Sequence, residues 1–330
     1  MNALPRCRGR AIGSRRSSVR VGSFPRAGIP PALAADRRRF TAAARAAGVD
    51  HLGLGDHVSF FVGAGHDGLV DAASLLSVQD DLPVYVGAYL LPLRHPVIVA
   101  RQLATIAELA PGRLTLGVGI GGEDRHEIEI CGVDPRTRGR RMDECLTLVR
   151  ALLRGEPATL QGEFIDVRDA LILPSPDPPI RITVGGRSGA AVRRSALLGD
   201  GWLGIWVSPR RFAAVSEEIA GLATGAGRDP SAFEHALNVW CGFGDTAEAA
   251  RTPLATSMEA FYATQFTAFE RYSPCGRPED VAAFLAPYAE AGCAAFNLIP
   301  CAADMDEALQ GVGEVRRLLV GARSDAAAAG

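Results

Sequence analysis

Strand-like and helix-like segments alternate along most of this sequence, and this rhythm constrains the fold more than any single motif. Runs of aliphatic and β-branched residues are followed by segments with apolar residues at helical spacing, often opened by proline or closed by glycine. The predicted strands lie at 19–24, 51–56, 83–91, 114–118, 180–184, 200–207, 235–243 and 294–299. Eight strands that alternate with helices over about 300 residues are typical of a (β/α)8 barrel, or TIM barrel.

The rhythm is interrupted once, between Gly119 and Ile180. About 60 residues lie there, far more than the roughly 2 to 6 of an ordinary strand–helix connection, so we predict an insertion after the fourth strand. We expect it to contain a helix at 138–153 and a small hairpin at 159–167. A doubly wound sheet is the alternative, because residues 117–122 (GVGIGG) follow a strand and fit the GxGxxG pattern. We favour the barrel because two strand–helix units already precede that pattern.

Composition narrows the classes of function. The chain has 330 residues, 48% of them hydrophobic, and a net charge of −2, which indicates a globular protein with no bias towards nucleic acid or membranes. No apolar run approaches the roughly 20 residues of a transmembrane helix, so we expect a cytoplasmic protein. Seven cysteines without a CxxC pair indicate reduced thiols and no metal site. We expect residues 1–18 to be a disordered basic tail, 19–320 one domain and 321–330 a flexible tail.

A glycine loop follows the fifth predicted strand and leads directly into a helix. It comprises Gly185, Gly186, Arg187, Ser188 and Gly189. Glycines let backbone N–H groups approach an anion, and the start of a helix adds partial positive charge, so this junction is suited to a phosphate group. The alternative is a tight strand–helix turn with a solvated arginine.

Several motifs together resemble the bacterial-luciferase-like family of flavin and deazaflavin oxidoreductases. They are Asp56-His57 after the second strand, LPLRHPVIVARQLATIAELAPGRLTLGVGIGGE across the third and fourth strands, GVDPRTRGRRMDE in the insertion, and ITVGG with GDGW beyond it. The resemblance runs from about residue 19 to residue 319 and implies a TIM barrel. The Asp-His pair resembles the branch that uses coenzyme F420, a deazaflavin. In some members an acid directly follows Gly-x-Gly, whereas here Gly122 intervenes and the acid is Glu123.

The carboxyl ends of barrel strands converge on one mouth, where we expect the cofactor and the substrate to bind. His57 is the predicted proton-transfer residue, since imidazole titrates near neutrality, and Glu123 is the second predicted catalytic residue. The resemblance implies a bulge with a non-proline cis peptide at Ala88–Tyr89, or within one residue of it, that backs the cofactor ring. The predicted cofactor-binding residues are Asp56, Ala88, Tyr89, Leu91, Ile120, Gly121 and the glycine loop, residues 185–189.

Three functions fit these features. The first is an F420-dependent oxidoreductase that transfers a hydride between coenzyme F420 and a small organic substrate; the runner-up is an FMN-dependent monooxygenase. The third, from a different class, is a non-catalytic carrier or sensor of F420 or flavin, which would lack open space above the ring. We expect a homodimer. Residues 59–76 and 246–273, predicted as substrate-selecting loops, carry no pattern that identifies the substrate.

Overall fold

The computed structural model describes residues 19–25, 33–61, 63–122 and 124–328, and side chains as far as residue 321. Its strands are β1 (Arg20–Ser23), β2 (His51–Leu54), β3 (His57–Phe60), β4 (Ala64–His66), β5 (Val84–Leu90), β6 (Leu114–Gly119), β7 (Ala158–Gln161), β8 (Asp166–Ala170), β9 (Arg181–Gly185), β10 (Trp202–Ile205), β11 (His235–Phe243), β12 (Cys275–Gly276) and β13 (Cys293–Cys301).

Eight of these strands form a closed parallel barrel. The order around it is β1, β2, β5, β6, β9, β10, β11 and β13, and pairing of β13 with β1 completes the ring. The short strand β12 pairs with β11 outside the ring. The predicted TIM barrel is confirmed.

The helices alternate with the barrel strands and cover the barrel. They are α1 (Ala34–Ala47), α2 (Gly68–Ser77), α3 (Pro96–Leu109), α4 (Arg125–Ile130), α5 (Arg138–Leu153), α6 (Gly189–Leu198), α7 (Pro209–Gly225), α8 (Ala247–Tyr262), α9 (Pro278–Glu290) and α10 (Met305–Ala328). Their apolar faces are buried; on α3, for example, Val99 and Leu103 are fully covered. Proline opens α3, α7 and α9, where its missing N–H costs no hydrogen bond.

The insertion lies between β6 and β9, as predicted, and contains α4, α5 and the antiparallel pair β7–β8. The two segments predicted as loops are more regular than expected. Residues 59–76 contribute to the hairpin β3–β4 and to α2, and residues 246–273 include α8. Pro253 inside α8 and the many small residues of that helix give it a weak helical pattern, which explains why the sequence did not reveal it.

At the chain ends the outcomes differ. The predicted basic tail, residues 1–18, lies outside the described residues. Residues 321–328 were predicted as a flexible tail, but α10 continues through them to Ala328. The single domain at 19–320 stays a prediction. No helix among the described residues is long and apolar enough to cross a membrane.

Candidate functional site

A cavity of ≈ 1020 Å³ opens at the carboxyl ends of the barrel strands. Nine of the residues predicted for the site line it: Asp56, His57, Ala88, Ile120, Gly121, Gly185, Gly186, Arg187 and Ser188. Tyr89, Leu91 and Gly189 are not among its lining residues, and Glu123 lies outside the described residues. The barrel therefore brings together most of the residues that the sequence singled out on separate strands.

The bulge of β5 forms one wall of the cavity. The pairing register between β5 and β6 shifts between Val86 and Tyr89, and the cis peptide joins Gly87 to Ala88, one residue before the bond expected first. Ala88 lines the cavity. Tyr89 and Leu91, which were predicted to bind the cofactor, are buried and do not line the cavity, and the Arg94 guanidinium lies 4.3 Å from the centre of the Tyr89 ring. The alternation of side chains along β5 sends Tyr89 to the face opposite Ala88.

A chain of buried hydrogen bonds crosses the barrel beneath this bulge. The Asn238 side chain donates from Nδ2 to the Gly87 carbonyl oxygen at 2.9 Å, and Asn297 donates from Nδ2 to Asn238 Oδ1 at 2.9 Å. His51 Nε2 lies 2.6 Å from Asn297 Oδ1 and so acts as the next donor. Burial lowers the pKa of His51 to about 4, so its ring is neutral near pH 7. The chain links four strands and holds the bulge carbonyl in place.

Asp56, a predicted cofactor contact, lines the cavity, and its carboxylate is bonded by donors of the protein itself. Its carboxylate accepts two hydrogen bonds from Arg94, at 2.7 and 2.8 Å, and one each from the backbone N–H groups of Gly68 and Leu90. The side chain has 0% exposure. Because all these donors come from the protein, Asp56 fixes the end of β5 and the start of α2 and leaves the neighbouring His57 at the cavity.

His57 begins the hairpin β3–β4 and is held by an acidic residue that the sequence analysis did not identify. Its Nδ1 atom lies 3.1 Å from Glu127 Oε2 and 3.3 Å from Oε1. Glu127 Oε1 also accepts hydrogen bonds from the backbone N–H groups of Val58, at 2.7 Å, and Ser59, at 3.1 Å. Glu127 lies on α4 in the insertion, 70 positions from His57. The signal in the sequence that could have pointed to Glu127 is its position four residues after Glu123, the predicted catalytic acid.

The charge of Glu127 determines which nitrogen of His57 carries a proton. Burial alone would raise the pKa of Glu127, but the hydrogen bond and charge of His57, with the N–H groups of Ser59 and Val58, hold it below its usual range. An ionised carboxylate can only accept, so His57 Nδ1 must donate. Among the described residues none forms a hydrogen bond with His57 Nε2. In the neutral ring this atom carries the lone pair, and it can accept or return a proton.

The glycine loop forms the opposite part of the cavity and fits a phosphate group. Gly186 has a φ of +125°, and a Cβ there would come within 2.8 Å of Ala191 Cβ. The indole N–H of the buried Trp202 donates to the Gly186 carbonyl oxygen at 2.8 Å, and Ser188 caps α6 by accepting from the Ala191 N–H. No described residue accepts a hydrogen bond from the N–H groups of residues 187–189. Free donors at the start of a helix suit an anion.

Aromatic side chains enclose the cavity on the side of His57. We call this set the aromatic chamber: Phe60, Trp206, Trp240, Phe261 and Tyr262. The Phe60 ring lies 4.0 Å from the His57 ring between centroids, and the Phe261 ring lies 5.6 Å from it. Trp206 has a φ of +50°, unusual for so large a residue, and its buried indole N–H has no partner among the described residues. Such strain and unpaired donors cluster at functional sites.

The described residues contain no group of three or more His, Cys, Asp or Glu side chains arranged to hold a metal ion. The two carboxylates that line this mouth are instead paired with basic side chains, Asp56 with Arg94 and Glu127 with His57.

Comparison with known proteins relates this site to a family. The model of the luciferase-like monooxygenase family matches residues 19–291, which is most of the chain. The chain belongs to this family. A curated relative of this luciferase-like protein, the F420-dependent glucose-6-phosphate dehydrogenase of Beutenbergia cavernae, is 39% identical over 111 residues, 33% of each chain. The luciferase-like chain thus spans about a third of the length of the curated relatives it matches.

Two solved structures share the fold of the luciferase-like chain. An F420-dependent secondary alcohol dehydrogenase, in complex with an F420–acetone adduct, superposes with a TM-score of 0.78 at 19% identity over 90% of this chain and 98% of that one. The oxygenating constituent of 3,6-diketocamphane monooxygenase from Pseudomonas putida, in complex with FMN, gives 0.71 at 18% identity over 92% and 98%. At these identities the superpositions establish the barrel fold of this luciferase-like chain.

Proposed function

We propose that this luciferase-like chain is an F420-dependent oxidoreductase that transfers a hydride between coenzyme F420 and a small organic substrate. The observation that carries the proposal is the pairing of His57 with Glu127 at the rim of a cavity whose far side is the glycine loop. Such an arrangement provides a proton-transfer group and an anion site in one pocket. The relative and the first structural neighbour described above, both F420-dependent by name, support the choice of cofactor.

The residues present fit a deazaflavin or a flavin. Gly185, Gly186, Arg187 and Ser188 would hold a phosphate, while Ala88 and Ile120 offer small or apolar contacts for a flat ring. A bound deazaflavin would supply the two-electron step by accepting or giving a hydride. The protein would supply orientation, exclusion of water and control of the proton.

His57 carries out the proton step in this proposal. When an alcohol is oxidised, the hydride leaves its carbon, the C–O bond becomes C=O, and the hydroxyl proton passes to His57 Nε2. Glu127 keeps the Nδ1 proton in place and its negative charge stabilises the imidazolium that forms. In the reverse direction the imidazolium returns the proton to the oxygen. Glu123 stays a predicted catalytic residue.

Direct binding tests the choice of cofactor. We expect the purified chain to bind F420 at least tenfold more tightly than FMN, a difference of about 1.4 kcal/mol, in titrations followed by cofactor fluorescence. Tighter binding of FMN, together with consumption of oxygen by the reduced complex, would support the runner-up, an FMN-dependent monooxygenase. The FMN-dependent monooxygenase remains the second candidate because the glycine loop suits the phosphate of either cofactor and the second structural neighbour contains FMN.

A carrier or sensor is the less favoured function, because the cavity of ≈ 1020 Å³ leaves room for more than a cofactor ring. Turnover separates the two: a carrier would bind F420 without reducing it in the presence of any alcohol. A cytoplasmic homodimer is part of the proposal, and size-exclusion chromatography with light scattering tests the dimer.

A further inference from the structure

The aromatic chamber has an apolar surface built from rings that pack on one another. Phe261 lies 5.0 Å from Phe60 and 5.7 Å from Trp240 between ring centroids, and Trp206 lies 5.2 Å from Tyr262. Ile205 and Ile299 add aliphatic surface to the same cavity. A ligand with flat or cyclic apolar faces gains dispersion and hydrophobic contact with such a wall.

Several polar groups near the chamber are already bonded within the protein, whereas the Trp206 indole N–H has no partner among the described residues and can meet one ligand oxygen. Trp240 donates its indole N–H to the Tyr262 hydroxyl at 3.1 Å, and Asn238 is engaged with Gly87 and Asn297. A sugar brings many hydroxyl groups, and each loses its water on entering this chamber. Burial of a hydroxyl without a compensating hydrogen bond costs roughly 1–3 kcal/mol, so the chamber discriminates against sugars.

The positive charges of the cavity are also committed. Among the described residues that line the cavity, two have a permanent positive charge, Arg187 and Arg194. Arg194 donates to Asp143 Oδ1 at 2.6 Å and to the Gly139 carbonyl oxygen at 2.9 Å. Arg187 belongs to the glycine loop, where the proposed function assigns it to the cofactor phosphate. The sequence contains no lysine. A phosphate group on the substrate would therefore meet no unengaged cation among these residues.

We propose that the substrate is an uncharged, mostly apolar secondary alcohol of cyclic form, or the matching ketone. This inference rests on the proposed function and adds the substrate class. The apolar ring lies in the aromatic chamber, and the single oxygen points to His57 Nε2. In oxidation the carbinol carbon gives its hydrogen and two electrons as a hydride to F420, the hydroxyl proton goes to His57, and the ketone leaves. The class differs from the phosphorylated sugar named for the relative of Beutenbergia cavernae.

Cyclohexanol and glucose 6-phosphate serve as probes of the two classes. Calorimetry measures the binding of each to the full chain, with and without F420, and the loss of deazaflavin absorbance measures turnover. We expect cyclohexanol to bind at least tenfold more tightly than glucose 6-phosphate in both forms, with inorganic phosphate added to the cofactor-free protein so that the glycine loop is occupied in each titration. Tighter binding of glucose 6-phosphate would overturn the substrate class while leaving the F420 proposal intact. Failure to bind F420 would refute the proposed function, and the cofactor-free titration would still decide the substrate class.

Phe261 provides the test within the chamber. In Phe261→Ala we expect the KM for cyclohexanol to rise about tenfold, because the substrate loses its apolar contact with the Phe261 ring. The kcat should stay within about threefold of the wild-type value. Phe261→Leu restores apolar volume, so its KM for cyclohexanol should stay within about threefold of the wild-type value. Phe284→Ala removes a ring that packs on Tyr288 away from the cavity, and controls for a general loss of packing. An unchanged KM in a folded Phe261→Ala protein, checked by circular dichroism, would refute the role of the chamber.

Discussion

Replacement of Glu127 by glutamine tests how the protein controls the proton on His57. The glutamine oxygen can still accept from the N–H groups of Val58 and Ser59, so the hairpin β3–β4 keeps its anchors. The amide NH2 group then faces His57 Nδ1 and donates to it, where the carboxylate accepted. The neutral ring is forced to carry its proton on Nε2 and can no longer take one from the substrate there.

The structure sets the size of the expected effect. Two unit charges about 4 Å apart at an effective dielectric constant of about 20 attract by about 4 kcal/mol. The His57 side chain is 23% exposed, and solvent screening reduces the loss to about 2 kcal/mol, or about thirtyfold in rate. The wrong tautomer adds to this loss and costs up to about 10⁴-fold where a catalytic triad suffers the same change. We therefore expect Glu127→Gln to lower kcat by about thirtyfold or more, with the dissociation constant of the cofactor within about threefold.

Steady-state turnover with F420 and cyclohexanol measures kcat, and cofactor titration measures the dissociation constant of the cofactor. Asp124→Asn is the matched control, because Asp124 holds the N–H groups of Phe61 and His126, at 2.7 and 2.9 Å, without touching His57. It should retain kcat within about threefold. If Glu127→Gln turns over as fast as Asp124→Asn, Glu127 serves only to anchor the hairpin and the reasoning is wrong.

Three further predictions concern the cofactor loop, the proton-transfer residue and acid stability. Gly186→Val should weaken cofactor binding at least tenfold while the fold persists, because a Cβ at this φ meets Ala191; unchanged affinity in a titration would refute the phosphate assignment. His57→Ala should lower kcat by about 10² or more with cofactor affinity within a few fold, and near-normal turnover across pH would reject its role. His51 has a pKa of about 4 in the folded protein and about 6.5 in the unfolded chain, and it is neutral in the fold near pH 7. As the pH falls below 6.5, protons therefore bind preferentially to the unfolded chain. His51 should contribute about 2 kcal/mol to the drop in the free energy of unfolding between pH 7 and pH 5 in urea titrations, beside the contribution of His235, whose pKa burial also lowers to about 4. A His51→Gln protein whose stability drops as much as that of the wild type would contradict this.

The features that the sequence predicted well are local ones. Helix α5 has the predicted bounds, and the glycine loop forms where strand, glycines and helix follow one another. Periodicity and turn residues act over a few positions, so one chain segment contains the whole signal. The bulge at Gly87–Ala88 was placed to within one residue by the family resemblance, and the glycine and small residue found there are compatible with it.

The features that the sequence could not reveal depend on pairs far apart in the chain. His51 and Asn297 are 246 positions apart, and neither lies in a motif that predicts a hydrogen bond. Asp56 was expected at the cofactor because it stands next to His57, yet neighbouring side chains leave the backbone in different directions. Arg94, 38 positions later, holds the Asp56 carboxylate with two hydrogen bonds.

The two halves of the site have different origins in the chain, and this separates the binding of cofactor from the choice of substrate. The cofactor half is built by the ends of β5, β6 and β9, which the closed barrel fixes. The substrate half is built in part by the hairpin β3–β4, by α8 and by α4, which supplies Glu127, all outside the ring of eight strands. The ends of β10, β11 and β13 complete it with Trp206, Trp240 and Ile299. Substitutions in α8 can reshape the aromatic chamber without moving the glycine loop. Changes in substrate preference should therefore arise most readily in α8 and the hairpin, at little cost to cofactor affinity.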